Sequence, residues 1–188
     1  MKNCEQFNEL ESDRLFFRKV CLSDTEAVFE IGSDLEVLKF FPWKPHDELH
    51  DSEVMIEKIL SKYQKGEFTT WAIEEKCDKK LIGLIYFVKI EEKNSTLEIV
   101  YVLNRHSWGK GFITEALTRL VKFAFEVLEV NKIQIGHIKG NIGSQRVIEK
   151  AKFTFEGVSR EQILLNGQYL DVCNYSMLKS EFINNGIY

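Results

Sequence analysis

The chain has 188 residues, 44% hydrophobic and 29% charged, which fits one globular domain and excludes a disordered composition. Lys and Arg total 25 against 29 Asp and Glu, a net charge of −4 that argues against a general nucleic-acid binder built on clustered cations. No apolar run approaches about 18 residues, and Met1-Lys2-Asn3-Cys4-Glu5-Gln6 carries charge where a signal peptide is apolar, so a cytoplasmic protein without a membrane segment is expected.

In chain order, the first expected strand is 14–20, rich in Phe and Leu. Ser23-Asp24-Thr25-Glu26 places Glu three residues after Ser, a capping box opening a short helix to about Gly32. Both prolines fall in one aromatic loop, Phe40-Phe41-Pro42-Trp43-Lys44-Pro45. Beyond it Ile56, Ile59, Leu60 and Tyr63 recur at helical spacing, with Gly66 as the stop. Strands follow over 69–74, 81–90 and 97–103. After Gly109-Lys110-Gly111, the residues Leu117, Leu120, Val121, Ala124, Phe125 and Leu128 mark the strongest amphipathic helix. A strand over 132–138 comes next, then a short helix capped by Asn141 and running to about Ala151. Strand-like runs 162–165 and 168–178 flank Asn166-Gly167, a hairpin signal.

Strand, helix and strand across 97–138 imply a crossover and a parallel pair, whereas the hairpins on either side imply antiparallel pairing. The expected fold is a single α/β domain over 11–180. Its six- to seven-stranded sheet is mostly antiparallel, with strands four and five (97–103 and 132–138) as a central parallel pair and helices on both faces.

The four cysteines, Cys4, Cys21, Cys77 and Cys173, are scattered and read as reduced thiols. His46 and His50 are spaced i, i+4 among acidic residues, but no further ligand pattern supports a metal, and none is expected.

The turn Asn104-Arg105-His106-Ser107-Trp108-Gly109-Lys110-Gly111 precedes the best helix. Its two glycines permit close backbone approach, and the open N–H groups and dipole of a helix start attract anions. By itself the pair could equally mark a tight turn. The third glycine of a dinucleotide fingerprint is replaced by Thr114, and the Walker A pattern is absent.

Context decides. Gly109-Lys110-Gly111-Phe112 followed by Thr114-Glu115-Ala116-Leu117 resembles the coenzyme A pyrophosphate loop of the GNAT superfamily of acyl-CoA N-acyltransferases. The segment from Asn141-Ile142-Gly143-Ser144 to Lys150-Ala151-Lys152-Phe153 is similar to that family's second cofactor motif. The tail Asn166-Gly167-Gln168-Tyr169-Leu170-Asp171 and the aromatic loop resemble the ribosomal-protein N-terminal acetyltransferase branch. His106 stands where the family usually has Arg or Gln, and Lys152 where it usually has Gly before the aromatic; a positive φ there would strain Lys152.

The resemblance implies acetyl-CoA as cofactor and an amine acceptor, either a protein N-terminus or a small molecule such as a polyamine, amino sugar or amino acid. It implies cofactor contacts from Tyr101, Val102, Leu103, Trp108, Gly109, Lys110, Gly111, Phe112, Ile113, Thr114, Asn141, Ser144, Arg146 and Lys150, and acceptor contacts from Phe41 and Trp43. An α-amine has a pKa near ~8 and a lysine amine near ~10.4, so the acceptor must shed a proton. Glu98, whose sequence neighbours Leu97 and Ile99 are apolar, is the candidate base; a solvent-facing or ion-paired carboxylate is its plain alternative. Main-chain N–H groups around 101–103 would hold the oxyanion. Many relatives place a tyrosine near the departing sulfur; here Ser144, in the first turn of the helix capped by Asn141, takes that position. Asp171 reads as structural. The protein is expected as a monomer or homodimer. A non-catalytic acyl-CoA-binding module is the rival, separable by whether thiol is released when amines are added.

Overall fold

The computed structural model describes residues 9–184. Met1 to Gln6, Cys4 included, lie outside the described residues. One sheet of eight strands runs in the order β1 (Leu10–Glu11), β2 (Leu15–Arg18), β3 (Thr70–Glu75), β4 (Lys80–Glu91), β5 (Thr96–Leu103), β6 (Lys132–Ile138), β8 (Gln168–Leu178), β7 (Thr154–Leu165). All neighbours are antiparallel except β5 and β6.

The helices are α1 (Thr25–Gly32), α2 (Leu35–Leu38), α3 (Leu49–Gln64), α4 (Phe112–Glu126), α5 (Ile142–Lys150) and α6 (Lys179–Asn184). They cover both faces. Leu117, Leu120, Val121 and Ala124 of α4 are fully buried in the larger core, which takes Leu97, Ile99 and Leu103 from β5 and Ile133 and Ile135 from β6. Val28 and Ile31 of α1 and Ile56 and Ile59 of α3 pack on the other face against Ala72, Leu84 and Val102. Side chains alternate along a strand, so β5 feeds both cores at once.

The expected parallel pair is present, but as the fifth and sixth strands. The sheet has eight strands instead of six to seven because Leu10–Glu11 adds a short edge, too brief to carry a periodic signal. The strand expected over 162–165 begins at Thr154. A bulge between Ser159 and Ile163 interrupts its alternation, and Glu161 there has φ 52°. The Ser23 capping box does not form. Arg18 engages both oxygens of Asp24 at 2.8 Å, Asp24 also accepts from Cys21 N–H at 2.9 Å, and α1 starts only at Thr25. Ser23 lies inside a 3-10 turn, Leu22–Asp24, in which Asp24 takes the Cys21 amide, so the serine is not at the position where it could cap α1. The third helix starts at Leu49, earlier than its apolar spacing indicates, because Asp51 caps the open Asp47 and Glu48 amides of a polar first turn.

The feature that positions the site is a missing part of the ladder. β5 and β6 pair only from Thr96↔Lys132 to Glu98↔Gln134, and then diverge. Beyond Glu98, β5 stays paired to β4 on one edge and is open toward β6 on the other.

Candidate active site

The chain reaches α4 through a 3-10 turn (Arg105–Ser107) and two left-handed glycines, Gly109 at φ 75° and Gly111 at φ 82°. These conformations are strained for any residue with a Cβ, which is why glycine occupies both. Gly111 is the N-cap, and the first amides of α4 have no carbonyl one turn earlier to accept from them. The result is a cluster of N–H donors at the positive end of the helix.

A brace holds that turn. Arg14 donates from Nη1 to the Lys110 carbonyl at 3.0 Å and from Nε to Glu115 Oε2 at 2.7 Å, and its guanidinium carbon lies 4.6 Å from the Phe112 ring centre. Glu115 also accepts from the Arg14 N–H and the Ser12 hydroxyl. Partial burial pushes the Glu115 pKa up, but these bonds outweigh it and hold the carboxyl below the usual range. Nothing in the sequence pattern marks Arg14, because its partners lie about a hundred residues away.

Behind the turn lies a cavity of about 630 Å³. Tyr101, Val102, Leu103, Trp108, Gly109, Gly111, Phe112, Ile113, Thr114, Asn141, Ser144, Arg146 and Lys150 all line it, and so does Phe41. Lys110 does not: its carbonyl is taken by Arg14 and its ammonium lies 5.9 Å from the Phe112 ring centre. Phe40 of the aromatic loop lines the cavity as well, and Glu36, Val37 and Lys39 of the wall carry no sequence signal. These residues belong to or follow α2, a helix too short for periodicity to reveal. Asp34, its N-cap, pairs with Arg105 at 2.9 Å and ties this wall to the glycine turn.

The open edge of β5 faces the cavity. Asn104 donates its N–H to the Ile82 carbonyl on β4, so by strand alternation the Leu103 and Tyr101 amides turn toward the gap. Asn141 caps α5, accepting from Ser144 N–H at 3.1 Å, and this sets Ser144 in the first turn. Among the described residues, Tyr101 Oη is the one buried side-chain oxygen or nitrogen without a hydrogen-bond partner. Burial drives its pKa up to about 12, with the nearby Ser144 hydroxyl pulling slightly the other way.

Glu98 lies elsewhere. It lines a second depression, of about 710 Å³, with Lys89, Gln134, Glu156, Ser159 and Asn174. Its carboxylate pairs with Lys89 at 2.7 Å and is 24% exposed, so the apolar enclosure expected from Leu97 and Ile99 is not present. Alternation sends those two side chains into the α4 core and Glu98 to the opposite face. Glu156 pairs with Lys132 at 2.7 Å and accepts from Ser176, and the two bonds lower its pKa.

Trp43 lines neither space. It packs against Phe41 at 4.9 Å between ring centres and stacks on Tyr86 at 6.3 Å, backing the loop that carries Phe41. Asp171 accepts from Glu161 N–H at 3.1 Å and pairs with Lys139 at 3.3 Å, fastening the β7 bulge. His46 bonds Ser52 and His50 bonds Glu53.

Residues 14–154 match the acetyltransferase (GNAT) domain. The chain is similar to YoaA, an uncharacterized N-acetyltransferase of Bacillus subtilis (strain 168), at 31% identity over 92% of this chain and 98% of that one. YdaF of the same organism, a candidate ribosomal N-acetyltransferase, is 37% identical over 56% of this chain and 57% of its own. The spermidine N(1)-acetyltransferase of Vibrio cholerae is 22% identical over 92% of this chain and 98% of its own. Among solved structures, a GNAT-family acetyltransferase from Bacillus anthracis superposes with a TM-score of 0.83 at 26% identity, covering 92% of this chain and 99% of that chain. The microcin C7 self-immunity acetyltransferase MccE, solved with acetyl-CoA and AMP, gives 0.80 at 25%, covering 89% and 93%. With the glycine turn, the diverging strands and these similarities together, the chain belongs to the GNAT family of N-acetyltransferases.

Proposed function

We propose that the protein moves an acetyl group from acetyl-CoA directly to a primary amine, with the N-terminal amine of a protein as acceptor. The observation that carries this reading is the meeting, in one cavity, of the amides at the start of α4 with the unpaired edge of β5. The cavity suits a pantetheine arm ending in a diphosphate, because its lining combines the first residues of α4, apolar side chains and the open segment of β5. When bound, acetyl-CoA supplies an activated thioester.

The chain's own residues divide the work. The Phe112, Ile113 and Thr114 amides would hold the diphosphate, with Arg146 and Lys150 of the same cavity wall adding positive charge. The Tyr101 and Leu103 amides polarise the carbonyl; one such donor is worth about 2.7–4 kcal/mol in the transition state. Ser144, in the same cavity wall, would donate a hydrogen bond to the departing sulfur. Glu98 takes the amine proton from the opposite side of the sheet. It lies three residues before Tyr101, about 10 Å along an extended strand, so a chain of two or more waters has to complete the path.

The second depression favours a peptide over a polyamine. Its two carboxylates already carry lysine partners, leaving little free negative charge for a polycation, whereas Gln134, Ser159, Gln162 and Asn174 suit a peptide backbone. An α-amine near pKa ~8 also offers more neutral nucleophile at pH 7 than an alkyl amine near ~10.4. YdaF supports the same acceptor class and the spermidine acetyltransferase the other. The cytoplasm, where acetyl-CoA and ribosomes meet, is the proposed location, and the domain extends over 11–180.

The test is an acetylation screen over peptides with free N-termini, spermidine, amino sugars and amino acids, read by thiol release and mass. Faster turnover of peptides is expected. Faster turnover of spermidine would overturn the acceptor assignment while leaving acetyl transfer intact. Glu98→Gln is expected to lower kcat at least tenfold with no change in acetyl-CoA affinity; an unchanged pH–rate profile would remove Glu98 as base.

A further inference from the structure

Tyr101 sits in the middle of the open segment of β5, and strand alternation carries its ring to the face covered by α4 and α5. Its hydroxyl is buried and without a hydrogen-bond partner among the described residues, an unfavourable arrangement unless a bound group or a neighbour completes it. The Ser144 hydroxyl is its neighbour in the same cavity wall, close enough to pull the Tyr101 pKa slightly down against the effect of burial. Two adjacent hydroxyls, one shut away from solvent and one facing the cavity, form the start of a chain. We infer that Tyr101 is a positioning residue whose phenol donates to Ser144 Oγ, so that the Ser144 proton points at the sulfur leaving as thiolate.

Acid strength decides between donating a bond and donating a proton. A thiol has a pKa near ~8.5, so neither a serine hydroxyl nor a phenol held near 12 gives up its proton to a thiolate at equilibrium. Both stay protonated and stabilise the anion as hydrogen-bond donors, the outer one strengthening the inner. In the balanced step, a C–N bond forms, the C–S bond breaks with its electron pair going to sulfur, and the amine proton passes through Glu98 and water, ultimately to sulfur. Tyr101 and Ser144 end as they began. In the free protein Ser144 already acts on the Tyr101 phenol although the pair falls short of full hydrogen-bond geometry, and catalytic contacts often tighten only when a ligand binds.

This inference rests on the acetyl-CoA reading above, and the test separates the two. CoA is bound to wild type, Tyr101→Phe, Ser144→Ala and the double variant, and the ultraviolet absorbance of the bound thiolate is followed against pH. The wild type is expected to titrate about one pH unit below free CoA, with either single variant returning most of that shift. Because the hydroxyls act in series, the double variant is expected to match Ser144→Ala. Tyr101→Phe should lower kcat about tenfold with the KM for acetyl-CoA within about twofold. An unshifted thiol in wild type, or a Tyr101→Phe effect that persists undiminished on the Ser144→Ala background, would overturn the relay while CoA binding stands. Failure of all four proteins to bind CoA would overturn the cofactor reading and the relay with it.

Discussion

Lys152 ends α5 in the left-handed region at φ 63°, with its N–H donating to the Glu149 carbonyl at 3.0 Å. The geometry is that of a helix terminated by a residue that glycine fills without strain. A side chain in this region costs about 1–2 kcal/mol, and glycine gives back part of that through the unfolded chain. Lys152→Gly is therefore expected to stabilise the protein by about 0.5–1 kcal/mol in urea unfolding; a loss of stability would mean the lysine makes a compensating contact. That position was legible because a local pattern, Lys where a helix stop precedes an aromatic, carries it. Glu98 was legible as an acid on a central strand, but not in its surroundings: neighbours in sequence are opposite in space on a strand. Tyr101 was visible only as main chain, since the orphaning of its hydroxyl depends on α5 closing over β5.

At the scale of elements, the start of α4 depends on β2 and the short edge β1. Arg14 and Ser12 converge on Glu115, and Arg14 also holds the Lys110 carbonyl. Arg14→Ala is expected to raise the KM for acetyl-CoA about five- to tenfold with kcat changed less than twofold, as measured by steady-state kinetics; Glu115→Gln should act in the same direction. A purely structural brace would lower the melting temperature and leave KM alone. A second inter-element tie joins β2, β3 and the turn before α1: Arg18 bridges Asp24 at 2.8 Å and Glu74 at 2.6 Å. Burial pushes the Asp24 pKa up, but Arg18 and the Cys21 N–H overcome it and set it below the ordinary value. A depressed folded pKa means that this stabilisation is complete above the unfolded value near ~3.9 and disappears as pH falls through the folded one. Asp24→Asn should cost about 2 kcal/mol at pH 7. The gap to wild type should narrow below pH ~3.9, as read from urea unfolding at several pH values; a pH-independent gap would assign the loss to packing. Element identity was largely readable from period and caps, as in α4. Element ends were not, where Asp24, held by Arg18 and the Cys21 amide, organised the turn in place of Ser23 or a bulge interrupted the alternation of β7.

At the scale of the molecule, β5 is the divide. The cavity behind the glycine turn lies against its open edge and the Glu98 depression lies on its other side, so a thioester and an amine can approach one gap from opposite directions. The parallel pair that creates the gap was legible from the strand–helix–strand order, because crossovers leave few alternatives. The place where pairing stops was not, since it depends on how far β6 turns away after Gln134. The amides at the start of α4 are the part of the molecule expected to grip a diphosphate, and calorimetric titration with CoA and with pantetheine, which lacks the diphosphate and its nucleotide, tests this. CoA should bind at least about a hundredfold more tightly than pantetheine. Equal affinities, or no heat with CoA, would contradict it.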